Sequence, residues 1–319
     1  MSWWIPRAAG QRPKVQVGVM NFGKRTPEDE SSRIVRRALE RGLDFFDVAN
    51  AYNDGESERI LGRALGKERD KVTIATKVGF GKVEGKPEGL ARPRILAACD
   101  GSLARLGTDR IDLYYLHVPD YKTQIEESLD ALHELLDKKK IVRWGVSNYA
   151  SWQILEMMHL ADARKMPRPV MSQQIYNVLI RQLDIEYFKF TRKYPLHTTV
   201  YNPLAGGLLS GKHTREGSQK GTRFEGNRLY QNRYWNDATF DRVDVLASVA
   251  KGEGMSLVEL AYAWVASRPG VDSILAGPAS VVHLDAAIDG AAKALSPAAL
   301  ERLDALYREW QGTDVTYAR

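Results

Sequence analysis

The chain has 319 residues, 44% of them hydrophobic and 27% charged, which is enough to bury a large core and too apolar for a disordered or low-complexity protein. Its single cysteine, Cys99, excludes an intrachain disulfide framework, a redox dithiol and a multi-cysteine metal site, and suits a reducing, cytoplasmic compartment. The net charge is +6, but Lys and Arg are interspersed with Asp and Glu, so the surplus draws small anionic ligands and does not argue for nucleic acid. No stretch approaches the length of a membrane span, and MSWWIPRAAGQRPK at the start lacks an apolar signal core, so no membrane association is expected.

Short β-branched runs alternate with longer amphipathic stretches along the chain. VQVGVM precedes a helix over Pro27–Arg41, FFDVA precedes one over Ser57–Leu65, VTIATK one over Arg92–Leu106, and IDLYYLH one over Ile125–Lys139. VRWGVS then leads to Trp152–Lys165, VMSQQI to Ile185–Tyr194, TTVYNP through a long insertion to Leu257–Ala266, and SILAG to Val281–Ile288, with a last helix over Pro297–Tyr307. Thr26 and Ser151 are expected to cap helix starts, and Gly42, Gly66 and Gly107 to end helices. Eight such repeats predict the α/β class, a (β/α)8 TIM barrel spanning residues 1–319 as one domain. The stretch from Gly206 to about Asp237, after the seventh strand, reads as a lid loop over a ligand.

A barrel of this kind gathers its chemistry at the C-terminal ends of its strands. Asp47, Lys77 and His117 each close a predicted strand, and Tyr52 lies just beyond one. A carbonyl that accepts hydride needs a proton, which a tyrosine can supply if a nearby cation pulls its pKa toward working pH. Lys77 is the candidate cation, Asp47 its ion-pair partner, and His117 the group that orients the carbonyl. Any one of these residues alone would more often be an ordinary strand end.

Other motifs fail on inspection. GGLLSGK has P-loop spacing, from Gly206 to Gly211 and Lys212, but His213 stands where magnesium needs Ser or Thr. GFGKVEG lacks the last glycine of a dinucleotide fingerprint and does not open a helix. Six scattered histidines without companion cysteines predict no metal, and no serine sits in a nucleophile-elbow context.

LDFFDVANAYNDGESERILGRALG, TIATKVG, SLARLGTDRIDLYYLH, KIVRWGVSNYASW, QQIYN and YNPLAGGLLSGK, in this order, resemble the aldo-keto reductase superfamily over nearly the whole chain. The resemblance implies Tyr52 as proton donor, Asp47 and Lys77 as its tuning pair, and His117 as the substrate-orienting residue. It implies metal-free reduction of a small-molecule aldehyde or ketone by NADPH. For the cofactor it implies Ser147, Asn148 and Gln173 at the carboxamide, Tyr201 stacked on the nicotinamide, and the stretch Asn202, Pro203, Leu204, Gly206, Gly207, Leu209, Gly211 and Lys212 toward the pyrophosphate.

Beyond the last strand the family usually places a small hydroxyl, a basic or amide side chain and a Glu-Asn pair around the adenosine phosphate. Here Ala279, His283, Ala286 and Ala287 stand at those places, with Ser280 one position away, and Arg223 or Lys212 as alternative phosphate partners. NADH therefore stays open beside NADPH. VGVMNFGKR, NDGESE, the RFEGN…YQNRYW segment and the final Tyr-x-Arg resemble the aflatoxin-aldehyde and succinic-semialdehyde reductase branch. That resemblance implies a substrate pocket of Met20, Arg25, Tyr230, Arg233 and Arg319, whose three arginines would hold a substrate carboxylate. A ketone or sugar reductase, or a cofactor-binding regulatory subunit of a channel, remains as an alternative, and homo-oligomerisation is left open.

Overall fold

The computed structural model describes residues 3–313 and 315–318. Its strands are β1 (Lys14–Gly18), β2 (Phe45–Asp47), β3 (Thr73–Val78), β4 (Lys82–Val83), β5 (Lys86–Pro87), β6 (Ile111–Leu116), β7 (Ile141–Ser147), β8 (Met171–Ile175), β9 (His197–Tyr201) and β10 (Ser273–Ala276). β4 and β5 form a separate antiparallel hairpin; the other eight close into a parallel barrel in the order β1-β10-β9-β8-β7-β6-β3-β2. Around it lie α1 (Glu28–Glu40), α2 (Glu56–Leu65), α3 (Arg92–Leu106), α4 (Ile125–Asp137), α5 (Ser151–Ala163) and α6 (Tyr187–Lys193). They are followed by α7 (Arg228–Tyr234), α8 (Asp237–Gly252), α9 (Leu257–Ser267), α10 (Val281–Ala292) and α11 (Pro297–Gln311).

The eight predicted strands and nine predicted helices are all present, and two helices go beyond expectation. α7 makes part of the lid helical, with Asn227 capping its first turn. α8 fills the interval between the lid and Leu257. Asn236 Oδ1 accepts from Thr239 N at 2.9 Å to start it, and Phe240, Val243, Leu246 and Ala250 bury one stripe. The acidic and basic residues between them hide that stripe from a reading of local polarity.

Two expected caps are not caps. Thr26 donates its hydroxyl to Ala279 O at 3.2 Å and so ties the start of α1 to the strand-end loop before α10. Ser151 lies inside α5 and donates to Glu186 at 2.7 Å, while the Gln153 side chain accepts from Ala150 N at 3.0 Å. Gly42, Gly66 and Gly107 do end their helices, at φ of 75°, 46° and 63°.

Side chains alternate between the barrel lumen and the surrounding helices. On β2, β3, β6 and β8, Phe45, Ala75, Leu113, Tyr115 and Met171 share one interior cluster, while Phe46, Ile74 and Tyr114, with Trp144 of β7, pack outward beneath the helices. Two residues further along the same inward rows stand Asp47, Lys77, His117 and Gln173. Strand period thus converts a hydrophobic lumen into a polar rim in one step.

The opposite mouth is closed by residues before β1. Trp3 is buried against the Phe45 ring at 4.9 Å, with Lys14 Nζ 4.6 Å from its ring centroid, and Arg7 N donates to Asp272 Oδ1 at 2.8 Å. Trp3→Ala should therefore lower unfolding stability by about 3 kcal/mol in a denaturant titration, with kcat unchanged because the site lies at the other end of the strands.

Candidate active site

Lys77 and Asp47 form an ion pair with both side chains buried in the barrel. Lys77 Nζ also donates to Val48 O at 2.8 Å, and Gln173 Nε2 donates to Asp47 Oδ2 at 2.8 Å, so both carboxylate oxygens are engaged. Burial pushes Asp47 up and Lys77 down, and each is held against that push by the other's charge.

Tyr52 opens a 3-10 turn, Tyr52–Gly55, in which Asn53 and Asp54 adopt left-handed φ of 51° and 53°. Asn53 Nδ2 holds the turn by donating to Met20 O at 3.1 Å and Phe22 O at 2.8 Å, which swings the Tyr52 ring over the strand ends. Lys77 Nζ lies 5.2 Å from that ring's centroid, and the His117 ring stands edge-on to it at 5.8 Å. The expected lowering of the Tyr52 pKa is not what this arrangement produces. Burial, and then the negative charge of Asp47, hold the phenol well above its ordinary value. The reason is that Lys77 is already neutralised by Asp47, so the phenol faces a pair rather than a lone cation. His117 is held well below the ordinary imidazole value by burial and by Lys77, and its ring is neutral. Its Nδ1 is buried without a partner among the described residues.

A chain of side-chain bonds continues the rim. Tyr201 OH donates to Asn148 Oδ1 at 2.7 Å, and Asn148 Nδ2 donates to His117 O at 2.9 Å and Ser147 Oγ at 3.0 Å. Asn202 Nδ2 donates to Tyr234 OH at 2.8 Å, while its Oδ1 accepts from Gly206 N at 2.6 Å. Asn148 and Asn202, both at positive φ, therefore brace the wall of the site with amides already engaged.

These residues line one cavity of about 790 Å3, large for a small-molecule site. Met20, Arg25, Asp47, Tyr52, His117, Ser147, Asn148, Gln173, Tyr201, Asn202, Pro203, Leu204, Gly206, Gly207, Lys212, Arg223, Tyr230 and Arg233 all face it. Lys77 stays behind Asp47, wholly buried. Three expected cofactor residues are not at its wall: Leu209 is buried in the core, Gly211 ends the turn at φ 71°, and Ser280 caps α10 by accepting from His283 N at 3.3 Å. Arg319 lies outside the described residues. Phe80, whose ring lies 5.1 Å from that of His117, joins the wall together with Thr222, Asn227 and Tyr262. Phe80, Thr222 and Asn227 sit in loops without periodicity, and Tyr262 in an almost wholly buried helix, so no local pattern marked them.

Three arginines meet around one ring. Arg223 and Arg233 lie 5.3 and 5.7 Å from the Tyr230 ring centroid, and Arg223 Nη1 donates to Tyr230 OH at 3.2 Å. Arg25, whose partner is Asn21 Oδ1, is held down to about 10 by burial and by the charge of Arg223.

A nicotinamide dinucleotide fits this donor set. Ser147 Oγ accepts from Asn148 and keeps its own hydrogen to give. Tyr201 offers a ring fixed by its hydroxyl, and the basic wall suits phosphates. The glycine turn contributes differently from expectation. Gly206 N donates to Asn202 Oδ1 and Gly207 N to Leu204 O at 2.8 Å, so these backbone groups are engaged within the turn. At these two positions an anion would be met by neighbouring side chains such as Lys212 and Arg223 and not by the glycine N–H groups.

The sequence model of the aldo/keto reductase family matches residues 14–308. The chain is 40% identical over 250 residues to aflatoxin B1 aldehyde reductase member 2 of Mus musculus, covering 75% of this chain and 67% of that protein. It is 38% identical over 286 residues to aldo-keto reductase family 7 member A3 of Homo sapiens, covering 86% and 80%. A probable voltage-gated potassium channel subunit beta of Oryza sativa subsp. japonica is 33% identical over 264 residues, covering 81% and 80%. The barrel and its rim are those of an oxidoreductase that uses NAD(P)H to reduce carbonyl groups. The chain belongs to the aldo/keto reductase family.

Removing one partner of the buried pair should expose the cost of the other. Lys77→Met should lower unfolding stability by about 3–5 kcal/mol, and adding Asp47→Asn should recover most of that loss in the same urea titration.

Proposed function

We propose that the chain reduces aldehydes to alcohols with NADPH, with Tyr52 as proton donor, and that its preferred aldehydes carry a carboxylate. The observation that carries this reading is the meeting of two unlike walls in one cavity: Tyr52 and His117 on one side, Arg25, Tyr230 and Arg233 on the other. Relatives named aflatoxin B1 aldehyde reductase support the aldehyde. The absence of any disulfide partner for Cys99 supports a cytoplasmic setting.

Bound NADPH supplies the hydride. Ser147 and Gln173 would hold its carboxamide, Tyr201 its ring, and Ser210, Lys212 and Arg223 its phosphates. Asn148 and Asn202 would act by keeping the cavity wall in place.

The chain's own residues handle the proton. A neutral His117 offers an N–H to the carbonyl oxygen and fixes its direction. As the carbon is reduced, the oxygen becomes an alkoxide, a stronger base than phenolate, and Tyr52 gives up its proton to complete the alcohol. Lys77, 5.2 Å from the ring centroid, then stabilises the phenolate. Asp47 keeps Lys77 charged in a buried site. The raised pKa of Tyr52 holds the proton in place until the alkoxide forms, so proton loss and reduction stay coupled.

Tyr52→Phe should reduce kcat by about 10^2–10^4-fold while leaving NADPH affinity within about twofold. Retained carbonyl reduction in Tyr52→Phe would overturn the assignment of Tyr52 as proton donor. Arg25→Gln and Arg233→Gln should each raise KM for a carboxylated aldehyde by about tenfold or more and leave KM for a neutral aldehyde of similar size nearly unchanged. Equal effects on both substrates would remove the carboxylate from the proposal.

A further inference from the structure

Part of the cavity lies between the loop after β9 and the start of α10, where Lys212, His213, Arg223 and His283 face the same space. Asp47 is the one carboxylate that lines the cavity among the described residues, and it is bound to Lys77. Other acidic groups near α10 are already matched. Glu30 accepts from Val281 N at 2.8 Å and pairs with Arg33 at 2.8 Å, and Asp285 is held by Arg37 at 3.0 Å and Arg41 at 2.6 Å. This part of the wall is therefore basic.

The two histidines differ. His213 stands edge-on to Phe224 at 5.0 Å and to Trp235 at 5.6 Å, and its Nδ1 is buried without a partner among the described residues. A second proton on that ring would have no acceptor, so His213 serves as a neutral donor. Its Nε2 lies 3.9 Å from the place a Gly207 side chain would occupy, on the open side of the turn. His283 sits in the first turn of α10, with part of its surface open to solvent and part facing the cavity. Burial and the charge of Lys212 hold both rings below the ordinary imidazole value.

We propose that Lys212, His213 and His283 form a proton-coupled site for a phosphate monoester, so that the preference for NADP(H) over NAD(H) is set by pH through His283. This rests on the dinucleotide reading of the cavity. NADP(H) differs from NAD(H) by one monoester, which carries up to two negative charges and ionises near pH 6. The shared diphosphate has fixed charge over the same range. Without an anion, burial and then the charge of Lys212 oppose the charging of His283; a dianion beside it shifts that balance toward the protonated ring. Binding then takes up a proton, and affinity rises as pH falls from about 8 to about 6.5. Below about pH 6 the phosphate itself protonates and the gain stops.

Calorimetric binding of NADP+ and NAD+ at pH 8 and pH 6.5, each in two buffers of different ionisation enthalpy, tests the proposal without turnover. The Kd of NADP+ should fall about three- to tenfold on lowering the pH, with net proton uptake, while that of NAD+ changes less than about twofold. His283→Gln should abolish this pH dependence, and His283→Lys should bind NADP+ tightly at both pH values. Equal pH dependence for both nucleotides, or full pH dependence in His283→Gln, overturns the proposal while leaving the cofactor reading intact. Failure of both nucleotides to bind overturns the cofactor reading and this proposal with it.

Discussion

A buried lysine and aspartate, pressed together where the hydrophobic lumen of the barrel meets its polar rim, constrain everything around them. Neither can be charged alone there, because an isolated ion in such surroundings costs several kcal/mol. The fold answers with saturation: Asp47 accepts from Lys77 and Gln173, and Lys77 also donates to Val48 O. That saturation ties β2, β3 and β8 together across the lumen. It also bears on Tyr52, whose phenol is held above its ordinary value by burial and then by the Asp47 charge, while Lys77 is already paired with Asp47.

Much of this was legible because strands have a period of two. Asp47, Lys77 and His117 stand at predicted strand ends, and counting back by twos from each reaches Phe45, Ala75 and Tyr115, which are lumen residues. Ser147, Gln173 and Tyr201 occupy the corresponding places on β7, β8 and β9. Convergence at one rim therefore followed from the barrel alone. The direction of the Tyr52 shift did not, because it depends on how completely one buried charge cancels another, a property of distances and not of order along the chain.

The remaining differences share a cause. The resemblance assigns Leu209, Gly211 and Ser280 to the cofactor by position, yet turn geometry directs them to the core, to the end of the turn and to a helix cap. Loop residues carry no period, so neighbours in sequence can face opposite ways. α8 escaped for the converse reason: its buried stripe of Phe240, Val243, Leu246 and Ala250 is regular but diluted by charge. Thr26 and Ser151, good capping residues by type, were drawn off by partners far along the chain, Ala279 and Glu186.

The stopper at the closed mouth has a consequence for how the protein is made. Arg7 bonds to Asp272, a residue 265 positions later, and the Trp3 ring rests on side chains from β2. At ordinary elongation rates, the partner of Arg7 leaves the ribosome on the order of ten seconds to a minute after Arg7 itself. During that interval two tryptophans stand beside an unfinished barrel, exposed to chaperones and to other nascent chains. The bond from Arg7 can form only once Asp272 is in place, so the segment before β1 is among the last parts of the fold to be secured.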